Sequence, residues 1–372
     1  MKLLSLSDIH LGCPLIPTSA IIYGIDKLLA DTKDLSTVDV LLLNGDIFDL
    51  PLYLCSKVVP EIQEWIIRVL CLCKKHNIIL LILEGTPKHD RKQSNQFIVL
   101  NDTTGIKADV RYYQTLCLDD VVVKGKTYKF LFLPDEYHTS AAETEIEIKQ
   151  LLKTNNISQV DFISMHGAFK YQFPVVSQDC HDMDFFNSIV RYYIFVGHIH
   201  KMSRYEKILA QGSTHRIGHG YEEPKGFFKV EVDDGLDLVT FVENPYASIF
   251  KTCDISKLNP EEAYLRVSKL IKKLENINLA KDVIHLSLIV DKVKHIDVVK
   301  TLKNLNQTIK WKVEGVKKKT GRETTQVIEV YKPIPINPDT IVGIMSDRFK
   351  QQGISNETHE KALQLLQQIK NL

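Results

Sequence analysis

The sequence predicts an α/β layered sandwich with a smaller α+β unit behind it and a pair of helices at the C-terminus, and three observations carry that expectation. Four short apolar runs, residues 3–6, 41–43, 161–164 and 192–196, are each followed at once by Asp or His, as buried strands of a covered sheet that end in functional loops should be. Helical spacing of apolar residues separates the first of these runs. From residue 110 the texture changes to short β segments divided by turns.

Residues 1–10 read as a strand and then a loop, Ser7-Asp8-Ile9-His10. Ile21, Ile22, Ile25, Leu28 and Leu29 place a helix over 18–31, and Val38 to Leu43 is the next strand, which gives a βαβ unit. That strand runs into Asn44-Gly45-Asp46-Ile47-Phe48-Asp49, a glycine turn that delivers a carboxylate at its tip. A second helix covers 58–76, with Val59, Ile62, Trp65, Ile66, Val69, Leu70 and Cys73 on or near one stripe. Ile78 to Leu83 is a third strand, ending in Glu84-Gly85-Thr86-Pro87-Lys88-His89-Asp90. Val110 to Tyr113, Asp120 to Val123 and Tyr128 to Leu133 read as a second sheet, antiparallel and hairpin-linked. An exposed helix over 141–155 precedes the strand that leads to Met165-His166-Gly167, and the strand at 192–196 leads to Gly197-His198-Ile199-His200. A polar loop with His215, Arg216 and His219 follows, then a strand at 226–232 that turns at Asp233-Asp234-Gly235 and returns as 238–242. Asn244-Pro245 marks the end of a first domain, 1–245.

Residues 255–333 read as a separate α+β domain: helix 260–276, strand 283–290, helix 295–304, and strands 308–316 and 325–331 around the basic tip Lys317-Lys318-Lys319-Thr320-Gly321-Arg322. Pro333, Pro335 and Pro338 stiffen a linker, and 334–372 holds two helices separated by Gly353.

Composition narrows the class without naming a function. At 372 residues, with 44% apolar and 25% charged residues, the chain is that of an ordinary globular protein with two or three domains. A net charge of +1 gives no global attraction to polyanions, so contact with one must come from local patches or bound cations. Seven cysteines in no framework spacing point to reduced thiols inside a cell. No run reaches the length of a membrane span, and the first strand is too short for a signal peptide, so a cytoplasmic protein with no membrane partner is expected.

Loops at the carboxyl ends of parallel strands converge on one crevice, which would bring two carboxylates and four imidazoles together. That donor set suits a pair of divalent metals of the manganese, magnesium or iron type. The residues assign Asp8, His10 and His200 to one ion, His166 and His198 to the other, and Asp46 between them. His89 would sit over a phosphate, either stabilising charge or protonating the leaving oxygen, and Asp49 is read as orienting its neighbours.

The series Asp8-Ile9-His10, Gly45-Asp46-Ile47-Phe48-Asp49, His89-Asp90, His166-Gly167 and Gly197-His198-Ile199-His200 resembles the calcineurin-like metallophosphoesterases. With Gln211-Gly212-Ser213 and Glu222-Glu223-Pro224-Lys225-Gly226-Phe227, it is similar to the SbcD-type nuclease branch, of which bacteriophages carry their own versions. The resemblance covers residues 1 to about 245 through motifs and the remainder through architecture only. It implies a two-sheet αββα metallophosphoesterase sandwich with a capping domain, manganese-dependent exonuclease action on duplex DNA ends, and endonuclease action on single strands. His89 and Asp90 are carried over as catalytic. It also implies a homodimer through helices near the site, for which 58–76 is one candidate. An SbcC-type, SMC-like ATPase is the implied partner, gripped by the C-terminal helices, in DNA recombination and repair. In a phage the compartment would be the host cytoplasm.

One departure stands out. The family usually reads Gly-Asn-His-Asp at the third motif, with the Asn amide oxygen on the second metal, and here the loop is two residues longer and has no Asn. Lys88 falls in the Asn slot if His89 and Asp90 keep their places, and an ammonium there must point away or lose its proton. Water, Thr86 or the Pro87 carbonyl are the replacements on offer. Two rival functions stay open: a phosphodiesterase acting on a small nucleotide, and a structural subunit with dulled chemistry. His215, His219 and Arg216 either reach the crevice or pack beside it. Lys310, Lys312, Trp311 and the basic tip either contact DNA backbone or are solvated.

Overall fold

Runs such as Leu80 to Leu83 have no polar face, so they are stable only where both sides of a sheet are covered. The computed structural model describes residues 1–315 except 33, 54–55, 135–139, 174–179, 221, 234–235 and 276–283, and it places this run inside a six-stranded sheet, with a strand on either side. The chain runs β1 (Lys2–Leu6), α1 (Thr18–Ala30), β2 (Val40–Asn44), α2 (Val58–His76), β3 (Ile79–Leu83), α3 (Gln96–Thr104) and β4 (Val110–Tyr113). It continues as β5 (Cys117–Val123), β6 (Lys126–Leu133), α4 (Ala141–Thr154), β7 (Val160–His166), α5 (Met183–Ile189) and β8 (Val190–Gly197). Then come β9 (Ser203–Tyr205), β10 (Ile208–Ala210), β11 (Gly226–Asp233) and β12 (Leu236–Glu243). A smaller unit follows: β13 (Ile249–Asp254), α6 (Pro260–Glu275), β14 (Ile284–Val290), α7 (Ile296–Leu305) and β15 (Lys310–Gly315).

The first sheet has the order β12-β11-β1-β2-β3-β4, and the second β5-β6-β7-β8-β10-β9. Alternation along β2 shows how they stack. Leu41 and Leu43 pack with α1 and α2, while Val40 and Leu42 face the second sheet with Phe130, Phe132, Phe162 and Phe195. The far side of the second sheet buries Ile163, Met165 and Ile194 against Ile148 and Leu152 of α4 and Phe186 of α5. Helix, sheet, sheet, helix is therefore the layer order, a mixed α/β sandwich. Local signals fix the ends of helices. Ser140 caps α4 by accepting the Glu143 amide, and Asn77 closes α2 in the left-handed region at φ 54°.

Two expectations need correction. β4 pairs in parallel with β3 at the edge of the first sheet, not with the second. The second sheet is antiparallel at β5-β6 and β9-β10, but β6-β7 and β7-β8 are parallel, because buried runs joined by the helices α4 and α5 cross over instead of turning back, and β8-β10 is parallel as well. The small unit's three-stranded parallel sheet starts with β13 at Ile249, and Phe250 of β13 belongs to the core beneath α1 and also stacks on His285 of β14. The basic tip at 317–322, the strand at 325–331, the proline linker and the two C-terminal helices lie outside the described residues. No helix of the described residues is long and apolar enough to cross a membrane.

The polar loop after β10 folds inward. His215 is fully buried against α1, where a Cβ on Gly24 would lie 2.3 Å from its Nε2, and Arg216 donates to the Ser248 carbonyl at 3.2 Å. His219 packs edge-on against Phe250. These residues serve packing between the loop, α1 and β13.

This packing can be tested at two side chains. Trp65 of α2 is buried against Phe97, and Trp65→Ala is expected to cost about 4 kcal/mol in urea unfolding, with a loss below about 1 kcal/mol contradicting the core assignment. Burial, aided by Arg216, lowers the His215 pKa to about 3, whereas an unfolded imidazole titrates near 6.5. The unfolded chain then binds the extra proton between those values, so stability falls as pH drops below about 6.5, by about 1.4 kcal/mol per unit from this group. His215→Gln should make that slope shallower by about one proton in unfolding curves at pH 6.5, 5.5 and 4.5; an unchanged slope would refute it.

Candidate metal centre

Three of the strands that reach the crevice, β1, β2 and β8, end by bending the backbone sharply. Asp8, His10, Asp46 and His198 all adopt positive φ, at 50°, 56°, 50° and 96°, a region that non-glycine residues enter at a cost. The loops after β1 and β2 continue the strand pairing beyond the sheet: Asp8 N–H donates to Gly45 O at 3.1 Å, His10 N–H to Asp46 O at 3.1 Å, and Leu11 N–H to Ile47 O at 2.8 Å. Gly45 is required between them. It sits at φ +82°, and a Cβ there would fall 2.2 Å from His166 Nδ1.

Two clusters of the expected ligands result, one of Asp8, His10 and His200 and one of Asp46, His166 and His198, each with its ligand atoms within 4.8 Å of one another; a third such group, His10 with Asp49 and His89, shares His10 with the first. In the first, His10 Nε2 and His200 Nε2 are 3.0 Å apart, and His200 Nε2 lies 3.5 Å from Asp8 Oδ1. In the second, His166 Nε2 lies 3.3 Å from Asp46 Oδ2. Ligands about 2.1 Å from one cation sit about 3.0 Å apart when octahedral and about 3.4 Å when tetrahedral, so these separations fit a shared ion in each cluster. Both clusters can hold a metal, and all six residues that the sequence singled out as ligands are among their members.

The electrostatics agree with that fit. Burial lowers the His200 pKa to about 4, leaving a neutral ring with a lone pair to offer. At His10 burial again opposes protonation, but the hydrogen-bonded Asp49, with Asp8 and Asp46, outweighs it and raises the pKa. Those carboxylates draw positive charge to this spot, and a cation satisfies them as a proton does. Asp46 titrates below the usual carboxylate range despite burial, chiefly because His166 faces it.

Around the ligands stands a layer of orienting contacts. His10 Nδ1 pairs with Asp49 Oδ1 at 3.0 Å, the carboxylate–imidazole arrangement that fixes a ring's direction. Asp8 carboxylate oxygens accept from Ser7 Oγ and from the His198 amide at 3.1 Å. Asp90 is wholly buried; its oxygens accept from Phe48 N–H at 2.9 Å and Gly85 N–H at 2.8 Å, so it ties two loops together. His89 Nδ1 lies 2.5 Å from the Asp49 carbonyl, with its ring edge-on to His10 at 5.0 Å. The loop that lacks Asn makes a tight turn in which His89 N–H and Asp90 N–H donate to Thr86 O at 2.8 and 3.0 Å. Pro87 and Lys88 are exposed on that turn while Thr86 is buried, so Lys88 does not occupy the Asn position.

Three contributors escaped the sequence reading. Asn44 donates through Nδ2 to Met165 O at 2.7 Å and Phe195 O at 3.1 Å, while its own carbonyl lies 2.9 Å from His166 Nδ1. Ser164 Oγ donates to Asn44 Oδ1 at 2.5 Å. Lys225, 1% exposed, donates to His200 O at 2.7 Å and pairs with Glu223 at 2.6 Å. The available signal was a polar residue interrupting or abutting an apolar run, which is rarely buried without a partner.

The architecture is a mixed α/β sandwich of two six-stranded sheets. No family model matches the sequence, and no curated protein matches it. Two solved structures align with it in fold, each over 65% of this chain and 98% of its own length. One, the crystal structure of TT1561 of Thermus thermophilus, has 11% identity and a TM-score of 0.40, and a second crystal structure has 12% identity and a TM-score of 0.37.

Proposed function

We propose that this chain is a metal-dependent phosphodiesterase that cleaves DNA, the nuclease subunit of an SbcC-type ATPase complex in recombination and repair. The observation that carries the reading is the meeting of Asp8, His10 and His200 with Asp46, His166 and His198 in two adjoining clusters. The motif resemblance supplies the substrate, the preference for manganese and the ATPase partner; the helices that would grip it lie outside the described residues.

Two divalent cations, when bound, would lower the pKa of water and offset charge on a phosphate ester. Asp8, His10 and His200 would hold one, His166 and His198 the other, with Asp46 between them. The remaining work falls to the chain's own groups. Asp49 keeps the His10 ring from turning. With the Asp49 carbonyl accepting the Nδ1 proton, His89 when also protonated at Nε2 would donate that second proton to a phosphate oxygen or pass it to the leaving alkoxide. Asp90 holds the loop carrying His89 against the loop carrying Asp46.

The test is release of nucleotides from end-labelled duplex with manganese. His89→Ala is expected to slow cleavage by about a hundredfold or more while manganese binding is kept. Cleavage that needs no added cation, or that is unaffected by the substitution, would overturn the reading. Turnover of small diesters with none of DNA would assign the same centre to a small nucleotide.

A further inference from the structure

The loop 85–90 brings a hydroxyl to the place where the resemblance expects an amide. Thr86 Oγ1 lies 3.2 Å from Asp46 Oδ2 and 3.5 Å from His198 Nδ1. These spacings match the 3.3 Å between Asp46 Oδ2 and His166 Nε2 within the same cluster, and all are those of ligands sharing one ion. The residue is 7% exposed, and its backbone N–H also grips Asp46, donating to Oδ1 at 2.7 Å. Such a close approach depends on Gly85, whose Cβ would lie 2.1 Å from the Asp46 nitrogen.

We propose that Thr86 is a ligand of the second cation, its hydroxyl oxygen completing the set made by Asp46, His166 and His198. A hydroxyl has one proton and two lone pairs, so it can donate to a neighbour and still offer a pair to a metal. Serine and threonine hydroxyls bind magnesium in this way in phosphate-binding loops. The turn sets Thr86 against the cluster while Pro87 and Lys88 are exposed to solvent. A neutral hydroxyl is a weaker donor than an amide oxygen and favours hard cations bound by oxygen. The second site should therefore be the weaker of the two and the first to empty.

This assignment rests on the two-cation reading above, and one experiment separates their failures. The full chain is titrated with manganese by calorimetry and by electron paramagnetic resonance, as wild type and as Thr86→Val, Thr86→Ser and Thr86→Asn. Wild type is expected to bind two ions, tight and weaker, with a spin-coupled signal when both are present. Thr86→Val keeps the volume without the oxygen. It should retain the tight ion, weaken the other by about tenfold or more and lose the coupled signal, while Ser restores both and Asn binds the second ion at least as well as wild type. Val binding both ions as wild type does, or Ser behaving like Val, would overturn the role of Thr86 and leave the two-cation reading intact. Wild type binding fewer than two ions would remove that reading and this ligand with it. Should Val fail to fold, Ser and Asn against wild type still decide: loss of the second ion in both overturns the assignment.

Discussion

A single buried amide joins the two sheets at the level of the crevice. Asn44 ends β2 in the first sheet, yet its side chain bonds to the backbones of β7 and β8 and to Ser164 in the second. Its own carbonyl accepts from Ser7 Oγ and faces His166 Nδ1, so neighbours of Asp8 and of Asp46 and one imidazole are referred to one residue. Hydrophobic contact between sheets tolerates sliding, whereas a hydrogen-bonded amide with no water to replace it does not. Ligands contributed by opposite sheets need that rigidity. The side chains of one cluster must agree in position to a few tenths of an ångström for a cation to be shared.

Holding this arrangement costs energy. Four of the six residues of the two clusters have positive φ, a conformation that costs about 1–3 kcal/mol each for residues other than glycine. Asp and His are among the side chains that accept this conformation most readily, which bears on why these residue types stand at strand tips. Burial of carboxylates close together adds a second cost. Asp90, desolvated and near Asp46, has its pKa raised to about 7, showing how strongly this neighbourhood resists further negative charge. Strain and repulsion concentrated at one crevice are what a binding site stores, and bound cations would relieve the electrostatic part.

The apolar strands and the donor at each strand tip were legible from sequence because both lie in contiguous residues. Helix α2 matched its expected span of 58–76, since its stripe repeats over five turns. What was lost depended on distant partners. Phe97, Ile98, Val99 and Leu100 are consecutive and give no stripe, yet they sit in α3 because α2 and β4 receive it there. β4 reads the same on either sheet, and only its parallel pairing with β3 decides. Asn44, Ser164 and Lys225 acquire their meaning from carbonyls more than twenty residues away, which no local pattern encodes. Thr86 was one of three candidates at its position, and the turn that excludes Lys88 was not readable from the spacing.

The segment 222–225 shows how the small sheet is joined to this centre. Glu222 bonds Lys251 Nζ at 2.8 Å and the Thr252 amide at 3.1 Å, both on β13. Three residues on, Lys225 takes Glu223 as its ion partner and meets the His200 carbonyl. The two connections differ in strength. The Glu222–Lys251 pair is partly exposed and worth at most about 1 kcal/mol, while Lys225 is enclosed, so removing its partner would strand a buried charge at a cost of several kcal/mol. The hold on β13 therefore rests on buried Phe250 more than on the Glu222–Lys251 pair, whereas the backbone at His200 is held by an enclosed ammonium.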